Sequence, residues 1–395
     1  MDKVARPAQK ATHQLTKQHN RDLVLKTLLD SQAISRAGIA RLTGLTRTTV
    51  SEIISSLIVM GLVEELGPGS SSGGKPSILL RLVADSRYII GVNLAQHRFV
   101  ASLVNLRGEI KRTVEVKVQG AEGNKAIRLA YQLLDTFTSK TWPLVGIGVG
   151  TPGLINTGEG IVVNAVNLDW QDLPLASLLE RRYALPVRLL NDSQATAIGE
   201  FVYGAHPRDS NLIVVNVGYG IGAGILIHGQ LFQGDGGGAG EIGHVQVDDN
   251  GMTCRCGRRG CLETRASGWA ILQAVQQLPG MSQGTVLRHI ESLFTKGDPA
   301  VRRIVRDAAR PLGKAIGSLV GTLDIRRIVF TGEVTRFGDD WLEAVRQGLS
   351  TAALESMVRE TRLEIGRLDT RASILGASAY LLLDDYSLLF ARKEN

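Results

Sequence analysis

Apolar residues recur at helical spacing from Asp22 onward. Leu23, Leu25, Leu28 and Leu29 form one side of a predicted helix, entered from a polar, basic arm over residues 1–20. Ile34 precedes Ser35, a residue suited to cap a second, shorter helix with Ile39 and Leu42 on one face. Gly44 breaks that helix, and Thr46 is placed to cap a third. This one runs to about Met60, with Val50, Ile53, Ile54, Leu57 and Ile58 at core spacing and Gly61 to end it. Leu62–Leu66 then reads as a strand, Gly67–Gly74 as a Gly/Ser/Pro turn and Ser77–Leu82 as the returning strand. Two helices about a Gly-containing turn, followed by a hairpin, form the pattern of a winged helix-turn-helix over residues 1–83.

Past a boundary at Val83–Arg87, strand-like and helical runs alternate. Strands are expected at Tyr88–Leu94, Phe99–Asn105, about Thr113–Val118 and Leu144–Gly150, with a helix at about Asn124–Thr138 between the last two. Arg188–Leu190 is a strand that delivers Asn191 and Asp192, and residues 211–227 are two strands hinged on a Gly-rich turn. A long helical region is expected over about Ala266–Thr322, then strands at Arg327–Phe330 and about Arg362–Leu368. A last helix runs from Thr370 to about Leu383. Periodicity by itself defines this part only as α/β.

Charge separates the two parts. Residues 1–50 hold nine Lys/Arg against three Asp/Glu, so that segment carries +6 of the chain's +7. A basic end of this kind suits a polyanion partner. In a winged helix the third helix would enter the DNA major groove by its N-terminal end. Arg47, Thr48, Thr49 and Ser51 are the residues placed to meet DNA there, with Glu52 and Ser55 beside them, and Lys75 at the wing tip is placed for the minor groove. The N-terminus has no apolar stretch of a signal peptide, and no apolar run reaches membrane-spanning length, so a cytoplasmic protein without a membrane partner is expected.

The chemistry concentrates in Gly240–Ala266, G-E-I-G-H-V-Q-V-D-D-N-G-M-T-C-R-C-G-R-R-G-C-L-E-T-R-A, which contains all three cysteines. Cys254, Cys256, Cys261 and His244 make a complete Cys₃His set for tetrahedral zinc, with Gly257 and Gly260 allowing the backbone to turn between thiolates. Four protein ligands leave no open position, so this zinc is expected to be structural, one ion per chain. A disulfide would leave an odd thiol.

E-x-G-H followed by C-x-C-G-x-x-G-C-L-E resembles the signature of the ROK family, which contains sugar kinases and sugar-responsive transcriptional repressors. The resemblance implies an actin-like ATPase fold in two α/β lobes, the first over residues 84–195 with the helix at about 370–390 packing back on it. The second, over residues 196–369, would hold the zinc site and a dimer surface. It also implies a sugar cleft lined by Gly153, Asn167, Asn191, Asp192, Glu241, His244 and Glu263, with Asp192 at the position of the kinases' general base. His244 would then place one ring nitrogen on zinc and the other toward the sugar. The kinases of the family read Asp-x-Gly-Gly-Thr at the end of the first strand, where this chain has Asn93-Leu94-Ala95-Gln96-His97. The carboxylate and both glycines are gone, so ATP is not expected to be used. Gly218, Gly220, Gly222 and Gly224 of a second Gly-rich turn are kept, with Tyr219 among them. The expectation is a non-enzymatic, sugar-responsive repressor that binds operator DNA as a homodimer or tetramer; the alternative is a ROK hexokinase.

Overall fold

The computed structural model describes residues 13–69, 76–138, 142–207 and 210–390, so Lys75 lies outside the described residues. The chain opens with α1 (His13–Asp30), β1 (Ile34–Ser35), α2 (Arg36–Thr43), α3 (Arg47–Val59), β2 (Val63–Pro68) and β3 (Ile78–Leu82). Helix α1 starts at His13, not Asp22, so part of the expected arm is helical. His13–Arg21 has no Gly or Pro to stop a helix, and residues 14–19, mostly polar, are exposed. Ser35 caps α2 by accepting from the Gly38 N–H at 3.1 Å, and Thr46 caps α3 by accepting from the Thr49 N–H at 3.2 Å. Gly44 closes α2 at φ 71°, a left-handed conformation that costs glycine little. Val50, Ile53, Ile54 and Leu57 are buried beneath α3, whereas Leu42, expected beside Ile39, points to solvent. Strand β3 pairs with both β2 and the short β1, completing a winged helix.

Next come β4 (Tyr88–Leu94), β5 (Arg98–Asn105), β6 (Ile110–Lys117), α4 (Gly123–Thr138), β7 (Leu144–Thr151), β8 (Leu154–Asn156), β9 (Ile161–Ala165), β10 (Trp170–Leu173), α5 (Leu175–Tyr183), β11 (Val187–Asn191) and α6 (Asp192–Tyr203). Five of these strands form a sheet in the order β11-β7-β4-β5-β6; β4, β7 and β11 run parallel and the β4-β5-β6 edge is antiparallel. β8, β9 and β10 form a small antiparallel sheet of their own, too short for periodicity to reveal.

The remainder supplies β12 (Leu212–Val217), β13 (Ile221–Ile227), β14 (Gln230–Phe232), α7 (Glu263–Ala266), α8 (Gly268–Gln276), α9 (Leu287–Thr295), α10 (Pro299–Leu323), β15 (Arg327–Thr331), α11 (Gly338–Ser350), α12 (Glu355–Glu360), β16 (Arg362–Ile365) and α13 (Ala372–Asp384). Its sheet, β14-β13-β12-β15-β16, has the plan of the first: an antiparallel meander on one side and two parallel strands on the other. One topology thus occurs twice, although no repeat is visible in the sequence. The expected helix over Ala266–Thr322 is four helices, broken where Ser267 recaps the chain, at Gly280 and Gly284, and at Gly297-Asp298-Pro299.

Helix α13 returns across α6. A Cβ at Gly376 would strike the Ala195 carbonyl and one at Gly199 the Ala372 carbonyl, so the two helices meet backbone to backbone. Beyond this crossing, Leu381, Leu382 and Leu389 share a core with Val24, Leu25, Leu28 and Leu57 of the winged helix and with Ile89, Leu106 and Val145 of the first sheet. The winged helix is therefore packed directly onto the first lobe. Among the described residues no helix is long and apolar enough to cross a membrane.

Candidate functional site

Between the two sheets lies a cavity of about 1070 Å³. Gly153, Asn167, Asn191, Asp192, Glu241, His244 and Glu263 all line it, so the residues expected to meet a sugar share one space. Gly153 ends the turn after β7 at φ 95°, with the Asn164 carbonyl where its Cβ would lie. Asn191 caps α6: its Oδ1 accepts from the Ser193 N–H at 2.8 Å and the Gln194 N–H at 3.4 Å. Its Nδ2 donates to the Gly153 carbonyl at 3.0 Å and to Glu241 Oε1 at 3.2 Å. The Asn191 amide is thus engaged by protein on both sides, and it fixes Gly153 and Glu241 in place.

Asp192 is the first residue of α6, on the cavity floor, where burial raises its pKa against the pull of the Ser193 N–H and hydroxyl. Burial likewise lifts Glu241 to about 7, with the charges of Asp192 and Glu263 adding to it. Glu263 is 5% exposed and has two partners: its Oε2 accepts from the Ile221 N–H at 3.1 Å and its Oε1 from Arg255 Nη2 at 2.7 Å. Carboxylates that converge on one pocket with amides beside them are acceptors for a hydroxyl-rich ligand.

The C-x-C-G-x-x-G-C loop folds against this cavity. His244, Cys254, Cys256 and Cys261 bring their ligand atoms within 4.8 Å of one another. Cys256 Sγ and Cys261 Sγ are 3.7 Å apart, and Cys254 Sγ lies 3.6 Å from His244 Nδ1. A tetrahedral zinc with ordinary bond lengths needs edges of about 3.8 Å between thiolates and about 3.6 Å from thiolate to imidazole, so the set fits that ion. Burial, then the neighbouring thiols, pushes Cys261 up to about 12, and burial raises Cys254 too. A cation binds them as thiolates, so its binding would release their protons. The loop turns at Gly257 (φ 86°) and Gly260 (φ 68°), as its spacing implies. His244 directs Nδ1 at the thiols, while Nε2 stands 3.9 Å from Glu241 Oε2.

On the other flank, Asn93 is the next-to-last residue of β4 and its Oδ1 is buried without a hydrogen-bond partner. Ala95, Gln96 and His97 make the turn into β5, with the His97 ring edge-on to Tyr219 at 5.0 Å. Arg255 enters the same space from the cysteine loop. Its position between two cysteines carries no periodicity, and only the fold shows that it faces the cavity. In the winged helix, Arg47 and Thr48 are exposed at the start of α3, while Thr49 and Ser51 are half-buried, Thr49 being held by its hydroxyl contact with Thr46 at 2.9 Å.

The molecule is thus a winged helix fused to a two-lobed, actin-like α/β domain with a cleft between the lobes. Residues 89–384 match the ROK family, and the chain belongs to that family. It is 33% identical over 391 residues to the xylose repressor of Caldicellulosiruptor bescii, covering 94% of this chain and 97% of that one. To the DNA-binding transcriptional dual regulator NagC of Escherichia coli it is 29% identical over 373 residues, covering 91% of each. A solved ROK family transcriptional regulator, a homolog of the E. coli MLC protein, superposes with a TM-score of 0.82 at 25% identity over 95% of this chain and 98% of that one. A ROK family glucokinase from Streptomyces griseus, in complex with glucose and AMPPNP, superposes with a TM-score of 0.68 at 27% identity over 74% of this chain and 98% of the kinase.

Proposed function

We propose that this chain is a sugar-responsive transcriptional repressor: the winged helix binds operator DNA and a sugar effector occupies the interlobe cleft without being phosphorylated. The observation that carries this reading is coverage. The likeness to the xylose repressor runs through 94% of the chain, whereas a glucokinase accounts for 74% and is itself used up. The quarter of this chain that the kinase leaves uncovered is long enough to hold the winged helix. The turn Asn93–His97 supports the same conclusion for nucleotide. Asn93 carries no charge to help hold a phosphate-bound magnesium, and the Ala95 and Gln96 side chains occupy a turn where phosphate requires bare backbone.

In this reading Asp192, Glu241, Glu263 and Asn167 hydrogen-bond the sugar, Gly153 allows its ring close to the backbone, and Asn191 positions Glu241. His244, Cys254, Cys256 and Cys261 hold one structural zinc, which fixes the His244 ring and leaves Nε2 toward the cleft. The ion supplies rigidity and takes no part in a reaction. Arg47, Thr48, Thr49 and Ser51 face the major groove, and Lys75 the minor groove. A homodimer places two such modules on half-sites about one or two helical turns apart.

The test is a titration of promoter DNA with the full chain, with and without D-xylose, D-glucose and N-acetyl-D-glucosamine, beside an assay for sugar-dependent ADP release. A sugar-sensitive DNA complex with no ADP release supports the repressor. Sustained ADP release abolished by Asp192→Asn would establish the kinase instead.

A further inference from the structure

Arg255 makes more polar contacts across the cleft than the proposed role of its loop requires. Its Nη1 donates to Gln96 Oε1 at 3.0 Å and to Asn167 Oδ1 at 3.4 Å, and its Nη2 to Glu263 Oε1 at 2.7 Å. Its guanidinium lies over the Tyr219 ring, 5.0 Å from the centroid. Gln96, in the β4–β5 turn, and Asn167, between β9 and β10, belong to the first lobe, whereas Glu263 and Tyr219 belong to the second. One side chain therefore spans the two walls.

The three contacts differ in strength. The contact with Glu263 is a short ion pair to a carboxylate that is 5% exposed and held on its other oxygen by the Ile221 N–H, so this end is an anchor. The contacts with Gln96 and Asn167 go to neutral amide oxygens, and the one to Asn167 is the longest. The first-lobe end is the one that lets go. A planar guanidinium has the donors to hold both ends at once; a lysine ammonium does not have that fork. Asn167 is also among the acceptors assigned to the sugar. A hydroxyl that donates to Asn167 Oδ1 competes with Arg255 for it.

We propose that Arg255 is a clasp across the cleft, anchored on Glu263 and gripping the first lobe through Gln96 and Asn167, and that an uncharged sugar binds by taking Asn167 from it. The clasp sets which ligands enter. Arg255 is neutralised by Glu263, and Asp192 and Glu241 line the pocket, so the clasp itself offers an anionic sugar no free charge; Arg98 and Arg371, which also line the cavity, lie outside the clasp. A neutral ring with hydroxyl donors meets acceptors. This assignment rests on the sugar reading of the cleft, but the clasp itself does not.

The experiment uses the full, metal-loaded chain and two variants. Gln96→Ala removes the shorter of the two first-lobe contacts and leaves Glu263 and Asn167 in place, and Arg255→Lys keeps a cation beside Glu263 but loses the fork and with it both first-lobe contacts. Without sugar, amide hydrogen exchange at residues 94–98 and 166–169 is expected to accelerate about fivefold in both variants, the worth of one hydrogen bond. Unchanged exchange overturns the clasp. With sugar, calorimetry against D-xylose, D-glucose and N-acetyl-D-glucosamine is expected to give about fivefold tighter binding for Arg255→Lys, because the donor that competes for Asn167 Oδ1 is lost. Equal or weaker binding overturns the competition. Metal content measured on each variant must equal that of the parent. Should the parent bind none of the three sugars, the sugar reading of the cleft fails, while the exchange measurement still decides the clasp.

Discussion

Arg107 joins the winged helix to the sensor lobe, and its removal should separate the two functions of the protein. It sits in the β5–β6 turn, with its own N–H held by Asn105 Oδ1 at 3.0 Å. From there its guanidinium crosses to the C-terminal end of α1 and donates to the carbonyls of Leu29 at 2.7 Å, Leu28 at 3.2 Å and Ser31 at 2.6 Å. These carbonyls lie at or just past the end of a helix, at the negative end of its dipole; that of Leu28 also accepts weakly from the Ser31 N–H at 3.4 Å. Burial holds the Arg107 pKa below the usual arginine range, so these contacts offset a desolvation cost. A charged donor to a carbonyl contributes about 1.5–3 kcal/mol, and water can replace part of each contact; the whole staple is therefore worth roughly 2–3 kcal/mol. Arg107→Met keeps the apolar stem and deletes the donors. The module should stay folded, because Leu25 and Leu28 of α1 remain buried against Leu106 and Leu389. Sugar affinity and operator affinity measured separately should each change little. The factor by which sugar alters operator affinity, corresponding to a coupling of about 1–3 kcal/mol, should fall toward one. The assay is fluorescence anisotropy of an operator duplex titrated with protein at fixed salt, with and without saturating sugar, alongside hydrogen exchange of residues 24–31. A sugar response as large as the parent's, with unaltered protection in α1, would show that Arg107 carries none of the coupling.

Other outcomes follow from the same structure. Cys256→Ser should lose the ion and the sugar response together, and a chelator should do the same to the parent; metal analysis should find about one zinc per chain before treatment and little after. Arg47→Ala should weaken operator binding by about 1–3 kcal/mol if it reads a base, or reduce the salt slope by about one if it meets a phosphate, with calorimetric sugar binding unchanged. Gly376→Val places a side chain against the Ala195 carbonyl, where α6 and α13 touch, and should lower stability by at least about 1–3 kcal/mol in denaturant unfolding.

Much of this molecule is legible in the order of its residues, and the limits are physical. Ser35, Gly44, Thr46 and Gly61 punctuate the first helices because caps and left-handed turns are local, and they sit where local rules put them. The ligand set of the cysteine loop is legible for a similar reason: its thiols are close in sequence. What escapes is non-local. The small β8-β9-β10 sheet has strands of three to five residues, fewer than a period needs. The first turns of α1 are exposed over residues 14–19 and show no apolar face for a period to reveal. The twofold topology is carried by strand pairing, which any suitable apolar residues can satisfy, so it leaves no repeat. Asn191 is legible as a polar residue after a strand, but its engagement by Gly153, Glu241 and the start of α6 depends on a neighbour fifty residues away. Arg255 and Gln96 are 159 positions apart, and nothing local marks either.

The arrangement also explains how a cleft can speak to a distant helix without a dedicated wire. Glu241 is held by Asn191, Asn191 caps α6, and α6 meets α13 backbone to backbone at Gly199 and Gly376. The far end of α13 lies in the same core as the helices of the DNA module. Each link is short and tightly packed, so the first lobe and the winged helix have little freedom to move against one another. A rotation that a ligand imposes between the lobes would then swing the winged helix relative to the second lobe, with α6 and α13, which share a core with Leu212, Val214 and Val329 of the second sheet, at its pivot, and a small angle at the cleft becomes a larger displacement at α3. On this view the element with two states is the lobe pair itself, and what biases it is whatever holds the cleft shut. Loosening the joint should uncouple the two sites and spare each of them. Leu381→Ala, which cuts into the core shared by α13 and the winged helix, should therefore behave in the anisotropy assay like Arg107→Met and unlike any substitution in the cleft.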